Sequence, residues 1–402
     1  NTLKIMSTNG RVAAPDGLFE QEPPTNPTNE AEDLPDLNSS AIDVSQSDTL
    51  PPVIFRMPNT AFGISMGLAG HAIMWKGMRN AEFVSNVIKV EIADILNLTC
   101  WCLACVAAGF TTVCYMYKIF TSFPLVMAEY LNEVRCHFFN APNLIFIMLL
   151  ISIPTYMDVP SQTLRILWAL AFCYQIVMTQ HIYKAWMFSK RRNFTEAKPQ
   201  FLLSTVGWFL LATLGQMCQI REEWGIGLPQ MCFGAGFILY IDIVIFIFGK
   251  LHDNRGMKGS PAMFLLIVPP SVGVVNLDLF NHGASDFSPF GEMLLGWVYV
   301  LLLLLISHGP NLWRSPSVLG EYWAYVFPLA ASTTATIRYA SALQTKSTEV
   351  LAITMIMMAI LSLLLVLGRE TFHMYRCFKR EDQWKDPLFH MEKYSTKKFR
   401  AL

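Results

Sequence analysis

The sequence predicts an all-α membrane protein whose ten transmembrane helices form five repeated helical hairpins around a central pore, the odd-numbered helices inside and kinked. Three observations carry this fold class. Hydrophobic residues make up 53% of the 402 positions and charged residues 15%, where a soluble chain averages about 25% charged. Apolar stretches long enough to cross a bilayer recur ten times with short connections between them. Prolines and small residues concentrate in every second stretch.

Residues 1–57 are polar, rich in Pro, Ser, Thr and Asn, and acidic. They cannot bury a core and are expected to form a disordered cytosolic region. Ser7, Ser39 and Ser45 are its phosphorylation candidates, Ser7 standing three residues after Lys4. Each phosphate would add about −1.5 to −2 charges; the plainer reading of each is solvated linker. With no signal peptide in this region, the first helix is expected to do the targeting. Residues 377–402 form a basic tail through Lys379, Arg380, Lys385, Lys393, Lys397, Lys398 and Arg400, suited to the cytosolic membrane face. The formal net charge of zero therefore hides an acidic head and a basic tail.

Between them, residues 58–376 hold the ten predicted spans: 58–76, 93–117, 138–157, 162–187, 201–220, 227–249, 261–280, 287–307, 322–343 and 348–375. The first carries Gly63, Gly67 and Gly70, the third Pro142 and Pro154, the fifth Gly207 and Gly215, the seventh Pro269, Pro270 and Gly273, and the ninth Pro328. The second, eighth and tenth are plainer, as in the run Leu301 to Leu305, although Pro229 and Gly234 in the sixth blur the pattern. Bent helices inside and straight ones facing lipid would account for the alternation. The nine cysteines lie mostly in apolar runs and behave as small hydrophobes. Cys100-x-Cys102-x-x-Cys105 has no histidine beside it, and no metal or cofactor is expected.

An even count of spans puts both termini on one side. Loops and borders on that side hold Lys118, Arg135, Lys184, Lys190, Arg191, Arg192, Lys198, Lys250, Arg255, Lys258 and Arg314; the opposite side holds Lys76, Arg79, Lys89, Arg165, Arg221 and Lys346. The positive-inside rule then places both termini in the cytosol.

The ninth span is the most informative. Pro328 removes a backbone donor inside an apolar helix and predicts a kink that turns Phe327 off the regular track, where a ring can plug a hole. Ser332, Thr333, Thr334 and Thr336 follow, either lining a narrow aqueous path or bonding carbonyls near the kink. Arg338 either concentrates anions at a pore mouth or pairs with Asp278. Gly67, His71, Asn140, Pro142, Ser204, Gly207, Pro270 and Ser271 supply small, polar or helix-breaking positions on the other odd spans. With few fixed charges, such a path would hold an anion weakly enough to release it. Asp242, inside the sixth span, must face protein or water, as a structural partner or a coupling site.

These residues also resemble a known family. Phe62-Gly-Ile-Ser-Met-Gly-Leu with Trp75, Phe138-Phe-Asn-Ala-Pro142, Pro269-Pro-Ser and the Tyr322 to Ala340 block are similar to the tellurite-resistance/dicarboxylate transporter family, and most of all to its plant slow-type anion channel branch. The resemblance covers Pro58 to Tyr375. It implies a homotrimer of ten-helix protomers in the plasma membrane, each with its own pore passing chloride or nitrate. It also implies occlusion by a phenylalanine matched by Phe327, with Met148 at the position of a second gate aromatic, and regulation by a protein kinase acting on cytosolic segments. A secondary carrier of malate or sulfite is the alternative within the same fold, with Asp242 and His71 as coupling candidates. An enzyme or receptor is disfavoured: the chain lacks paired acid–base residues, a His-x-x-x-His and a phosphate loop. The lipid bilayer and small anions are the expected partners, and nucleic acid is not.

Overall fold

The computed structural model describes residues 58–379 apart from 86–87, 133, 189–196, 253–259, 282–286 and 310–321. Ser7, Ser39 and Ser45 and nearly all of the basic tail lie outside the described residues. A helix stands at each of the ten predicted segments: α1 Phe62–Arg79, α2 Val90–Thr121, α3 Ala141–Ile151, α4 Ser161–Phe188, α5 Leu202–Met217, α6 Leu228–His252, α7 Val268–Phe280, α8 Pro289–Ser307, α9 Trp323–Leu343 and α10 Lys346–Lys379. Among the described residues no strand occurs.

Seven of these helices are long and apolar enough to cross a membrane, and eight if the bent pair Phe123–Leu131 with Arg135–Ile151 counts as one span. The chain is a multi-pass membrane protein. Helices α1 and α9 fall outside the seven because glycines, hydroxyls and charges such as Lys76, Arg79 and Arg338 dilute their apolar content. They are nonetheless among the most buried: Ala69, Ala72 and Met74 of α1 and Val326, Ala330 and Ala335 of α9 are hidden from solvent.

The packing order explains that burial. α1 packs on α3, α3 on α5, α5 on α7, α7 on α9, and α9 returns to α1, so the odd-numbered helices close a ring. The even-numbered helices lie against its outside: α2 on α1, α4 on α3 and α5, α6 on α5, α8 on α7, and α10 on α9. In the most apolar stretch of the α5 and α7 spans 83% and 78% of residues are buried, against 22–39% in α2, α4, α6, α8 and α10. Exposed Val106, Phe110, Val113, Leu303 and Leu364 make the outer surface apolar, as a lipid-facing surface must be.

Four of the ring helices start alike. A 3-10 turn, at Asn59–Ala61, Arg135–Asn140, Pro199–Phe201 or Pro261–Ile267, runs straight into the α-helix. Pro142 and the Pro269-Pro270 pair sit in the first α-turn, where a missing N–H costs no helical bond. These prolines therefore start helices instead of bending them. Pro154 lies beyond α3, which stops at Ile151, six residues before the predicted end; Lys76 caps it by donating to the Ile151 carbonyl at 2.8 Å. Of the predicted kinking prolines, only Pro328 sits inside its helix.

The ring glycines are also not hinges. They are notches for bulky neighbours. A Cβ at Gly207 would lie 2.6 Å from the amide carbon of Gln175, and one at Gly215 2.8 Å from the indole nitrogen of Trp168, both on α4. Gln175 donates to the Ser204 carbonyl at 2.8 Å and Trp168 to the Leu211 carbonyl at 2.8 Å, which fastens α4 to α5. α5 and α7 are joined by Asn276, whose amide donates to the Phe209 carbonyl at 3.0 Å and accepts from the Thr213 hydroxyl at 2.9 Å. Without competing water such bonds orient helices that apolar packing alone would leave free to slide.

Candidate functional site

The ring encloses two cavities along its axis. The larger, about 140 Å3, lies where the ring helices begin and takes Met66 from α1, Phe138 ahead of α3, Leu203 from α5, Leu265 ahead of α7, and Trp323 and Phe327 from α9. The smaller, about 40 Å3, lies further along and takes Ile73, Ile151, Leu210, Val272, Ala331 and again Phe327. All five ring elements line both. Phe327 lines both cavities, so its ring stands between them.

The position of this ring follows from α1. Gly70 leaves the space: a Cβ there would be 3.1 Å from Phe327 Cδ2 and 3.7 Å from Met148 Cε. Phe327 and Met148 thus both reach a bare stretch of α1 backbone, Phe327 at 3% exposure and Met148 at 0%. One turn earlier, Gly67 admits the Trp323 ring in the same way. Trp323 and Phe327, one turn apart on α9, fit Gly67 and Gly70, one turn apart on α1, because residues three or four apart share a helix face.

The electrostatics differ between the two ends. Each ring helix begins at the larger cavity, so five helix N-termini converge there with about half a positive charge each. Arg135, in the turn before α3, is a charged residue of the lining. Its Nη1 lies 3.1 Å from Glu129 Oε1, which Lys118 also meets at 3.0 Å. Tyr115 donates to the other Glu129 oxygen at 2.7 Å. Lys118 and Glu129 are 2% and 1% exposed, so this ionic cluster is built into the wall and only Arg135 reaches the cavity lining.

The lining itself is more apolar than the sequence suggests. On α9, Ser332 donates to the Leu329 carbonyl at 3.1 Å, Thr333 to Leu329 and to Met355 of α10 at 2.7 and 3.0 Å, and Thr336 to the Ser332 carbonyl at 2.8 Å while meeting Tyr299 of α8 at 2.9 Å. These three hydroxyls serve backbone and outer helices. Thr334 is the α9 threonine that lines the smaller cavity, with Thr213 from α5, although its hydroxyl too donates to a carbonyl one turn back, that of Ala330, at 2.9 Å. Ser204 turns to the Phe201 carbonyl at 2.7 Å and to Tyr183 of α4 at 3.3 Å, and Ser271 to the Ile267 carbonyl at 2.6 Å. Asn140 donates to the Leu203 carbonyl of α5 at 3.3 Å. Gly67, Pro142, Gly207, Pro270 and Pro328 shape the ring without lining either cavity.

Three predicted residues occupy other surroundings. His71 is buried between carbonyls, Nδ1 3.1 Å from Gly67 O and Nε2 3.2 Å from Ala359 O of α10, and so faces the outer helix. Arg338 lies 3.3 Å from Asp278 at the far ends of α9 and α7. Asp242 is exposed on the outer face of α6, in line with exposed Ile238 and Ile245. It is therefore placed neither to face the ring axis nor to couple a proton to an ion there. Sequence reading missed Arg135 as a lining residue and Trp323 as the partner of Gly67, and it offered Thr334 only as one of four α9 hydroxyls. The three-residue spacing of Gly67/Gly70 beside the four-residue spacing of Trp323/Phe327, each about one helical turn, is a signal that pairs the first span with the ninth.

Comparison with known proteins gives a consistent picture. The family model for SLAC1, the voltage-dependent anion channel, matches residues 56–371. The chain is 25% identical over 335 residues to the S-type anion channel SLAH2 of Arabidopsis thaliana, covering 83% of this chain and 62% of that one. It is 26% identical over 337 residues to the S-type anion channel SLAH3 of the same plant, covering 83% and 51%. To the guard cell S-type anion channel SLAC1 it is 25% identical over 308 residues, covering 76% and 53%. The matches thus take in between about half and three-fifths of each relative's length.

Proposed function

Because the chain belongs to the SLAC1 voltage-dependent anion channel family, we propose that it is an anion channel passing small monovalent anions, chloride and nitrate, along the axis of the five-helix ring, with Phe327 as the plug. The observation that carries this reading is the shared position of Phe327 on both axial cavities. The convergence of five helix N-termini and Arg135 on the larger cavity supports attraction of anions to one mouth. The apolar lining beyond it offers little to hold them, which suits release and conduction. The relatives are named as channels and not as enzymes.

In this reading ten helices cross the bilayer as five hairpins, both termini face the cytosol, three protomers assemble in the plasma membrane, and a protein kinase acts on the segments that flank the helices. A carrier of malate or sulfite would need a coupling group on the axis. The outward position of Asp242 and the seat of His71 against α10 speak against those two candidates.

The test is anion flux through the intact chain reconstituted in liposomes. Chloride and nitrate flux should rise without saturation as the gradient rises. Saturable, pH-dependent exchange of malate or sulfite with no net current would replace the channel by a carrier.

A further inference from the structure

A cation–aromatic contact on the outer side of the ring bears on how the plug is held. Tyr322, immediately before α9, is 1% exposed. The guanidinium carbon of Arg369, on α10, lies 4.0 Å from the centre of its ring, and the same guanidinium donates to the Tyr322 hydroxyl. Tyr322 stacks on Tyr325 at 6.1 Å and 26°, and Tyr325 meets Phe264 edge-on at 4.8 Å. One arginine therefore ties the start of the plug-bearing helix to α10 and, through Tyr325, to the turn ahead of α7. Phe327 follows Tyr322 by five residues, about 7.5 Å along the axis.

The length of α10 gives this tie a position. Its 34 residues extend about 51 Å, beyond the roughly 30 Å hydrocarbon core. Arg369 stands 23 residues after Lys346, about 35 Å from that end, at the edge where α10 continues toward residues 380–402.

We propose that Arg369 is a positioning residue for the gate: its clamp on Tyr322 holds α9 in the register that seats Phe327 over Gly70. This rests on Phe327 acting as the plug. The contact belongs to the occluded arrangement, so its loss favours departure from that arrangement. A cation–π contact of this geometry corresponds to about fivefold in an equilibrium constant when exposed and about thirtyfold when desolvated.

The experiment is voltage-clamp recording of chloride current from the full chain in oocytes, normalised to protein at the cell surface. Arg369→Ala should raise the resting current at least about fivefold, and Tyr322→Leu should reproduce it. Arg369→Lys, which keeps a cation over the ring, should remain within about twofold of wild type. In a Phe327→Ala background, Arg369→Ala should change nothing, because no plug remains to be released, and that conducting double variant also proves that the protein folds without Arg369. The clamp is overturned if Arg369→Ala stays silent while Phe327→Ala conducts, or if Arg369→Ala raises the current by the same factor with and without Phe327. A silent Phe327→Ala overturns the plug and the clamp with it.

Discussion

Gly70→Ala tests the seat of Phe327, the proposed plug, without changing that residue. A methyl at this position would lie 3.1 Å from Phe327 Cδ2, 3.5 Å from Ala330 Cβ and 3.7 Å from Met148 Cε. Ordinary carbon contacts lie at about 3.5–4.0 Å, so the Phe327 ring alone must move, by roughly 0.5 Å. It has somewhere to go, since cavities of about 140 and 40 Å3 border it. Adding a methyl to a filled site costs about 1 kcal/mol at the low end of overpacking, about fivefold in the balance between seated and unseated states. The gain of alanine over glycine in helix propensity applies to both states and cancels. Chloride current per surface protein should therefore rise about fivefold in Gly70→Ala and not at all when the same change is added to Phe327→Ala. A current that falls, or that rises equally in both backgrounds, would refute the seating argument.

The other variants separate architecture from conduction. Gly207→Ala drives a Cβ to 2.6 Å from the Gln175 amide carbon and should lower stability by about 1–3 kcal/mol, read as a lower Tm in detergent, with conduction of the surviving protein unchanged. Glu129→Gln removes the carboxylate that Lys118 and Arg135 both meet. It should cost about 3–5 kcal/mol and sharply reduce folded yield, and adding Lys118→Met should recover part of the loss. Asp242→Asn, on the outer face of α6, should leave chloride current and its pH dependence as they are. A changed pH profile would return this carboxylate to the transport path.

The positions of the helices were legible because hydrocarbon allows backbone no alternative to internal hydrogen bonds; every apolar stretch of spanning length therefore had to be helical. The division into inner and outer helices was also legible, but for another reason than the one inferred. Breakers were read as bends, whereas Pro142, Pro269 and Pro270 start helices and Gly67, Gly70, Gly207 and Gly215 receive side chains from neighbouring helices. A glycine cannot show in isolation whether it flexes or admits Trp168. The hydroxyls of α9 misled for a similar reason. In a dry interior Ser332 and Thr336 find carbonyls one turn back, and the sequence does not show which side of the helix is left to the axis. Phe327 was legible because a bulky ring beside an internal proline is an unusual pairing. Arg369 was not, since its contact with Tyr322 joins positions 47 apart and either residue alone reads as an interfacial anchor.

The central claim is that one aromatic ring closes an otherwise continuous anion path. The direct measurement is steady-state anion current, in chloride and in nitrate, across membranes containing wild type or Phe327→Ala at matched surface density. Removing the ring joins the two cavities it divides, and the account predicts a nearly silent wild type beside a variant whose current grows with driving force in both anions. If both proteins are equally silent, or the wild type already conducts as well as the variant, Phe327 does not close the path and the account is wrong.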